Sequence, residues 1–128
     1  MKILLDTHAF LWWVLDDPKL PASARGLVAD EENTILFSVA SAWEMSIKVG
    51  LGRLTFPQPA APFVSEQIRI NGFQLLPISL THSFHTAELP HHHRDPFDRM
   101  LIAQSRVEQV PILSRDSAFE DYDVTVLW

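Results

Sequence analysis

No cysteine occurs among the 128 residues, so neither a disulfide framework nor a thiolate zinc site can be built. Long apolar runs are missing too. The run at residues 9–15 is far too short to span a bilayer. Asp6 interrupts the apolar start Ile3-Leu4-Leu5 before it can serve as a signal peptide. There is no basic excess either: the formal net charge is −6, whereas phosphate-binding surfaces usually leave a basic footprint. That last absence decides little, because acids gathered around bound cations lower the formal charge without repelling phosphate. No internal repeat or low-complexity tract is seen. What remains, 47% hydrophobic and 20% charged residues, suits one ordinary globular domain over residues 1–128, expected in a reducing cytoplasm.

Apolar runs at residues 2–5 and 35–39 read as strands buried on both faces, and 74–78, 110–114 and 123–128 as three more. Between them lie helical stretches at about 7–15, 21–32, 41–50, 61–70, 81–89 and 96–109, with a proline-rich loop near Phe56 to Pro62. Strands alternating with helices predict a parallel sheet with right-handed crossovers, in a three-layer α/β domain. The first helix, carrying Phe10, Leu11, Trp12, Trp13, Val14 and Leu15, is apolar nearly all round. Such a helix is either deeply buried or has a second face against another chain.

Ligands of open α/β sheets bind beyond the carboxyl ends of the strands. Four acids fall at that edge: Asp6 after the first strand, Glu44 in the helix after the second, Asp98 at the start of the helix leading to the fourth, and Asp116 just after the fourth. Helix starts lie on the same edge, so capping accounts for each acid singly. Asp95-Pro96 is a strong helix start, Ser41-x-x-Glu44 matches a capping box, and Asp98 faces the positive end of its helix dipole. Taken together the capping account weakens, because Ser, Thr or Asn caps about as well as Asp. Crowded carboxylates also repel unless cations compensate. A hard divalent ion, Mg²⁺ or Mn²⁺, suits that conflict best. The histidines fit less well: His91-His92-His93 reads as a solvated loop, His82 and His85 lack a third ligand, and His8 lines the pocket or, the favoured reading, packs.

The order and spacing of Asp6-Thr7, Ser38-x-x-Ser41-x-x-Glu44, Asp95-Pro96-Phe97-Asp98-Arg99 and Ser114-Arg115-Asp116 resemble a PIN domain. More narrowly they resemble VapC-like toxins, the ribonuclease halves of bacterial type II toxin–antitoxin modules. The likeness runs along the whole chain, through Trp43-Glu44-Met45-Ser46-Ile47-Lys48, Leu51-Gly52-Arg53-Leu54 and Val126-Leu127-Trp128. It implies a five-stranded parallel sheet, an acidic pocket for Mg²⁺ or Mn²⁺, and hydrolysis of single-stranded RNA to a 5′-phosphate and a 3′-hydroxyl. Asp6, Glu44, Asp98 and Asp116 match the acidic positions, Asp6 and Asp98 for the main cation. Thr7, Ser38 and Ser41 match small hydroxyl positions that orient carboxylates or water, and Asp95 is a helix cap or an outer acid.

Arg94, Arg99 and Arg115 are candidates for gripping flanking phosphates, with a structural ion pair the equal alternative for Arg99. A toxin-like protein implies a cognate antitoxin, for whose contact, or for a homodimer seam, Trp12, Trp13 and Trp43 are the expected places. Two other classes compete. One is a non-catalytic PIN-like module whose acids only cap helices. The other is a phosphoacceptor receiver domain, which wants an aspartate ending the third strand where this chain has Pro77-Ile78-Ser79.

Overall fold

The computed structural model describes residues 1–128. In chain order the elements are β1 (Lys2–Leu5), α1 (Thr7–Val14), α2 (Ala22–Ala29), β2 (Thr34–Ser38), α3 (Val39–Gly50), α4 (Ala60–Asn71), β3 (Gln74–Leu76), α5 (Leu80–His85), α6 (Pro96–Glu108), β4 (Ile112–Leu113) and β5 (Val126–Leu127). Single 3₁₀ segments at Thr86–Glu88 and Ser117–Asp121 follow α5 and β4. The five strands form one sheet in the order β3-β2-β1-β4-β5, every pair parallel. The expected α/β three-layer architecture with a five-stranded parallel sheet is what the chain adopts.

Alternation along the central strands builds the layers. Ile3 and Leu5 of β1, with Ile35 and Phe37 of β2, pack into a core with Phe10, Leu11, Ala24 and Val28 from α1 and α2. Leu4 and Leu36 point the other way, into a second core with Leu101, Ile102 and Ala103 of α6 and with Phe119 and Tyr122. Successive side chains of a strand face opposite sides of the sheet, so a buried parallel strand needs apolar residues at every position. The run Ile3-Leu4-Leu5, fully buried, meets that need.

Several boundaries differ from expectation. α3 begins at Val39, because Ser38 closes β2 and accepts the Ala40 amide at 3.0 Å. Ser41 is therefore inside the helix, and the predicted capping box with Glu44 does not form. The fourth and fifth strands shrink to two residues each; before the fourth, the Val110 amide is taken by the Ser105 carbonyl of α6. The turn predicted at Asn71-Gly72 is present: Gly72 sits at φ 66° and ends α4 in the left-handed region. No helix is long and apolar enough to cross a membrane.

The chain runs from β1 to β2 and β3 on one side, then crosses back to β4 and β5 on the other. The direction of winding therefore reverses beside β1, and the crevice beyond the carboxyl ends of β1 and β4 is the position where such sheets bind ligands. Asp6 and Ser114 directly follow those two strands.

Candidate active site

Each acid reaches the crevice through a backbone device. Asp6 caps α1, its Oδ1 accepting the Ala9 amide at 2.6 Å. Asp116 caps the 3₁₀ segment by accepting the Ala118 amide at 2.9 Å. Asp95 caps α6 by accepting the amides of Phe97 and Asp98 at 2.8 and 3.1 Å. Capping and convergence are thus not rivals for Asp6 and Asp116, since the helix amide takes only one oxygen of each. Asp98, at the third position of α6, spends neither oxygen on its own helix start.

The carboxylates of Asp98 and Asp116 meet over the crevice together with the imidazole of His93, one ligand atom from each lying within 4.8 Å of the others. Burial is the main cause that lifts the Asp98 carboxyl from 3.8 to about 7, with repulsion from Asp95, Glu44, Asp6 and Asp116 adding to it. Burial likewise raises the Asp6 carboxyl, against the opposing hydrogen bonds from Ser114 and Ala9. Asp6 and Glu44 thus belong to the same electrostatic neighbourhood as the cluster. Four acids whose charges oppose one another are a donor set suited to a hard divalent cation. Carboxylate oxygens of Asp98, Asp116 and Asp6 are the groups available to hold it.

Glu44 has a more structural surrounding. It is buried, and its Oε2 pairs with Lys48 Nζ at 2.9 Å. Thr7 Oγ1 lies 2.7 Å from Glu44 Oε1 and 2.9 Å from Ser41 Oγ. An ionised carboxylate only accepts, so Thr7 donates to Glu44 and takes its second bond from Ser41. Thr7 therefore holds an acid directly, and Ser41 acts on that acid only through Thr7. Ser38 does not: besides receiving the Ala40 amide, it donates to Gln104 Oε1 at 2.5 Å, tying the start of α3 to α6.

The histidine run lies in the loop before α6, as predicted, yet its third member turns inward. The His93 amide donates to Tyr122 Oη at 2.6 Å, and the Asp95 amide donates to His93 Nδ1 at 3.1 Å. With Nδ1 engaged as an acceptor, the neutral ring carries its proton on Nε2. That atom lies 3.0 Å from Asp98 Oδ2 and 3.8 Å from Asp116 Oδ2. His93 is thus a hydrogen-bond donor set among carboxylates, rather than a free lone pair for a cation. Nothing in three adjacent histidines singles out the last one. The signal lay in the capped helix start two residues downstream, which fixes the backbone there.

The arginines divide. Arg99 is structural: its guanidinium donates to the carbonyls of Thr86 at 2.8 Å and Pro90 at 2.9 Å, with Leu89 and His93 at longer range. Arg115 is exposed, its guanidinium 4.9 Å from the centre of the Trp12 ring. Arg94 is exposed at the rim of a separate cavity with Trp43 and Phe97. Trp12 meets Trp128 edge-on at 5.9 Å, and Trp13 Nε1 donates to Asn71 Oδ1 at 3.0 Å. These two tryptophans find their neighbours inside the chain. Trp43 meets the Phe97 ring edge-on at 5.2 Å, yet stays 60% exposed. His82 completes a capping box with Ser79, and His85 Nδ1 faces Glu88 at 3.0 Å.

This chain is 40% identical to Ribonuclease VapC16 of Mycobacterium tuberculosis over 72 residues, 53% of this chain and 51% of that protein. The match spans about half the length of that curated relative. Among solved structures, a chain of VapBC2 from Rickettsia felis, bound to a DNA fragment from its promoter, superposes with a TM-score of 0.74 at 15% identity. That match covers 99% of this chain and 98% of the other. A chain of a toxin–antitoxin complex from Klebsiella pneumoniae gives 0.63 at 15% identity, covering 98% and 96%. At such identities the likeness speaks for the fold. The sequence profile of the PIN domain matches residues 3–124, nearly the whole chain and every acid of the crevice, and the chain belongs to the PIN-domain family.

Proposed function

We propose that this protein is a metal-dependent endoribonuclease that cleaves single-stranded RNA as the toxin of a toxin–antitoxin pair. The observation that carries the reading is the meeting of Asp98 and Asp116 beside Asp6, beyond β1 and β4. Acids that merely cap helices have no reason to crowd until one of them resists ionisation. The Mycobacterium tuberculosis relative is a ribonuclease by name, which supports the substrate class.

When bound, Mg²⁺ or Mn²⁺ supplies positive charge for the scissile phosphate and activates water for attack. The chain's own residues do the rest. Asp98, Asp116 and Asp6 hold the cation, while Thr7, Ser41 and Lys48 fix the rotamer of Glu44 at its margin. His93 Nε2–H, aimed at Asp98, orients that carboxylate and can donate to a phosphate oxygen arriving there. Arg115 stands at the mouth of the crevice as a counter-charge for the phosphodiester backbone. Hydrolysis by this arrangement leaves a 5′-phosphate and a 3′-hydroxyl.

Purified protein incubated with single-stranded RNA and Mn²⁺ should cut it, and chelation should stop the reaction. Sequencing of the product ends should show the phosphate on the 5′ side. Asp6→Asn should remove the activity with its circular dichroism spectrum unchanged; an Asp6→Asn protein that cuts at the wild-type rate would sink the assignment.

The same reading includes two protein contacts. A groove of about 440 Å³, lined by Phe37, Ala42, Met45, Phe56, Val64 and Ile68 among others, is apolar enough to receive an antitoxin segment. Exposed Trp43, Leu80 and Phe84, each at least 60% accessible, mark a homodimer seam. Light scattering should therefore return twice the chain mass, and Trp43→Arg should halve it; a monomeric wild type would remove the seam. In the cell this reading places the protein in the cytoplasm, where its RNA and its antitoxin are.

A further inference from the structure

Asp6 and Asp116 also line a cavity of about 390 Å³, whose other walls are His8, Trp12, Arg115 and Ser117. Its size is in the range of pockets that hold small ligands, about 300–1,000 Å³. We propose that this cleft is a nucleotide subsite, which takes the base and phosphate of the residue next to the scissile bond. The proposal rests on the nuclease reading of the acids, and adds the recognition of a base to it.

The construction of the cleft supports that occupant. His8 and Trp12 are one helical turn apart on α1, so they share a face, and their rings lie 5.8 Å apart. Trp12 is braced from the side by the edge of Trp128. Arg115 lies 4.9 Å over the Trp12 ring and Lys19 Nζ lies 5.9 Å from it. A rigid aromatic wall thus carries cations at its surface and ends at two carboxylates of the catalytic cluster. Bases of single-stranded RNA are held by stacking on aromatic rings and on guanidinium planes, with cationic side chains tracking the phosphates. Cation–π stabilisation of Arg115 by Trp12 alone would call for the contact. It would not call for the contact to face a cleft shared with Asp6 and Asp116, with exposed His8 on the same wall.

The test is binding without turnover, so that it reads the subsite even where RNA is not cut. Wild-type protein is titrated with nucleoside 5′-monophosphates and with ribose 5-phosphate, which lacks the base, with and without Mn²⁺. Calorimetry and tryptophan fluorescence are the readouts. The monophosphates should bind about fivefold or more tightly than ribose 5-phosphate, the low end of what one stacked base contributes. Trp12→Leu should abolish that difference. Arg115→Lys, a change at an exposed side chain that keeps the charge and loses the plane, should lower the ratio of monophosphate to ribose 5-phosphate affinity. Equal binding of the two probes by the wild type, or an undiminished difference in folded Arg115→Lys, overturns the proposal. So does unchanged fluorescence on nucleotide addition, the result expected if the cleft receives a protein segment instead. Loss of RNA cleavage with the base preference intact would instead count against the nuclease reading alone.

Discussion

Asp98→Asn is expected to abolish RNA cleavage and, without metal at neutral pH, to stabilise the fold. The carboxyl of Asp98 rises from 3.8 to about 7 in the folded chain. Between those values the folded protein holds a proton that the unfolded chain has released. Stability of the metal-free protein therefore falls as pH climbs from about 4 to 7, and stays reduced above that range. At ~1.4 kcal/mol per pH unit the loss is at most about 4 kcal/mol, lessened by the His93 donor 3.0 Å from the carboxylate. Asparagine has no charge to suppress. Its melting temperature should exceed that of the wild type at pH 8 and converge with it near pH 4. Mn²⁺ or Mg²⁺ should raise the wild-type melting temperature more at pH 8 than at pH 5, because the ligand must give up its proton first. Catalysis should drop well beyond the ~10–100-fold typical of outer-shell partners. Calorimetric melts across pH, with and without metal, check the first part. A wild-type protein more stable than Asp98→Asn at pH 8 without metal would refute it.

Arg99→Ala is expected to be the most damaging single change outside the acids. The guanidinium collects the carbonyls of Thr86, Leu89, Pro90 and His93, and approaches Tyr122 Oη at 3.5 Å. It thereby fastens the whole segment before α6. Truncation leaves several of those carbonyls without a partner, at a cost of roughly 3 kcal/mol, since bonds to charged groups contribute about 1.5–3. For a domain of this size that is on the order of 10 °C in melting temperature. Arg99→Lys should recover little of it, because one ammonium cannot span carbonyls that a planar fork reaches on several sides. Hydrogen exchange of amides 86–95 should speed up in both variants. Exchange confined to wild-type rates there would show that the segment is held by something else.

Much of the site was legible because it follows strand ends. The apolar run of β1 stops at Asp6 by sequence alone, and Asp95-Pro96 announces α6. For Glu44 the sequence pattern suggests the wrong neighbour. The capping-box pattern pointed to Ser41 within the same helix, whereas the bond runs to Thr7, across 37 positions. Local patterns describe local partners, and this one was set by how α1 lies against α3. The same limit hid Ser38, whose hydroxyl is spent on Gln104 of α6, and the carbonyl cage around Arg99. His93 was missed for a different reason. Its direction is fixed by the Tyr122 hydroxyl and the Asp95 amide, and neither bond has a signature in a run of three identical residues.

The order of the strands has a consequence for when the protein can act. Asp6 and β1 are made well before β4, which pairs beside β1, and before the acids Asp98 and Asp116. Until that part emerges, β1 can pair only with β2 on its other edge. A nascent chain holding the first three strands has one lone carboxylate at its sheet edge, with Glu44 tied up by Thr7 and Lys48. The metal site proposed for this crevice therefore stays incomplete until β4 and the acids around it have been made.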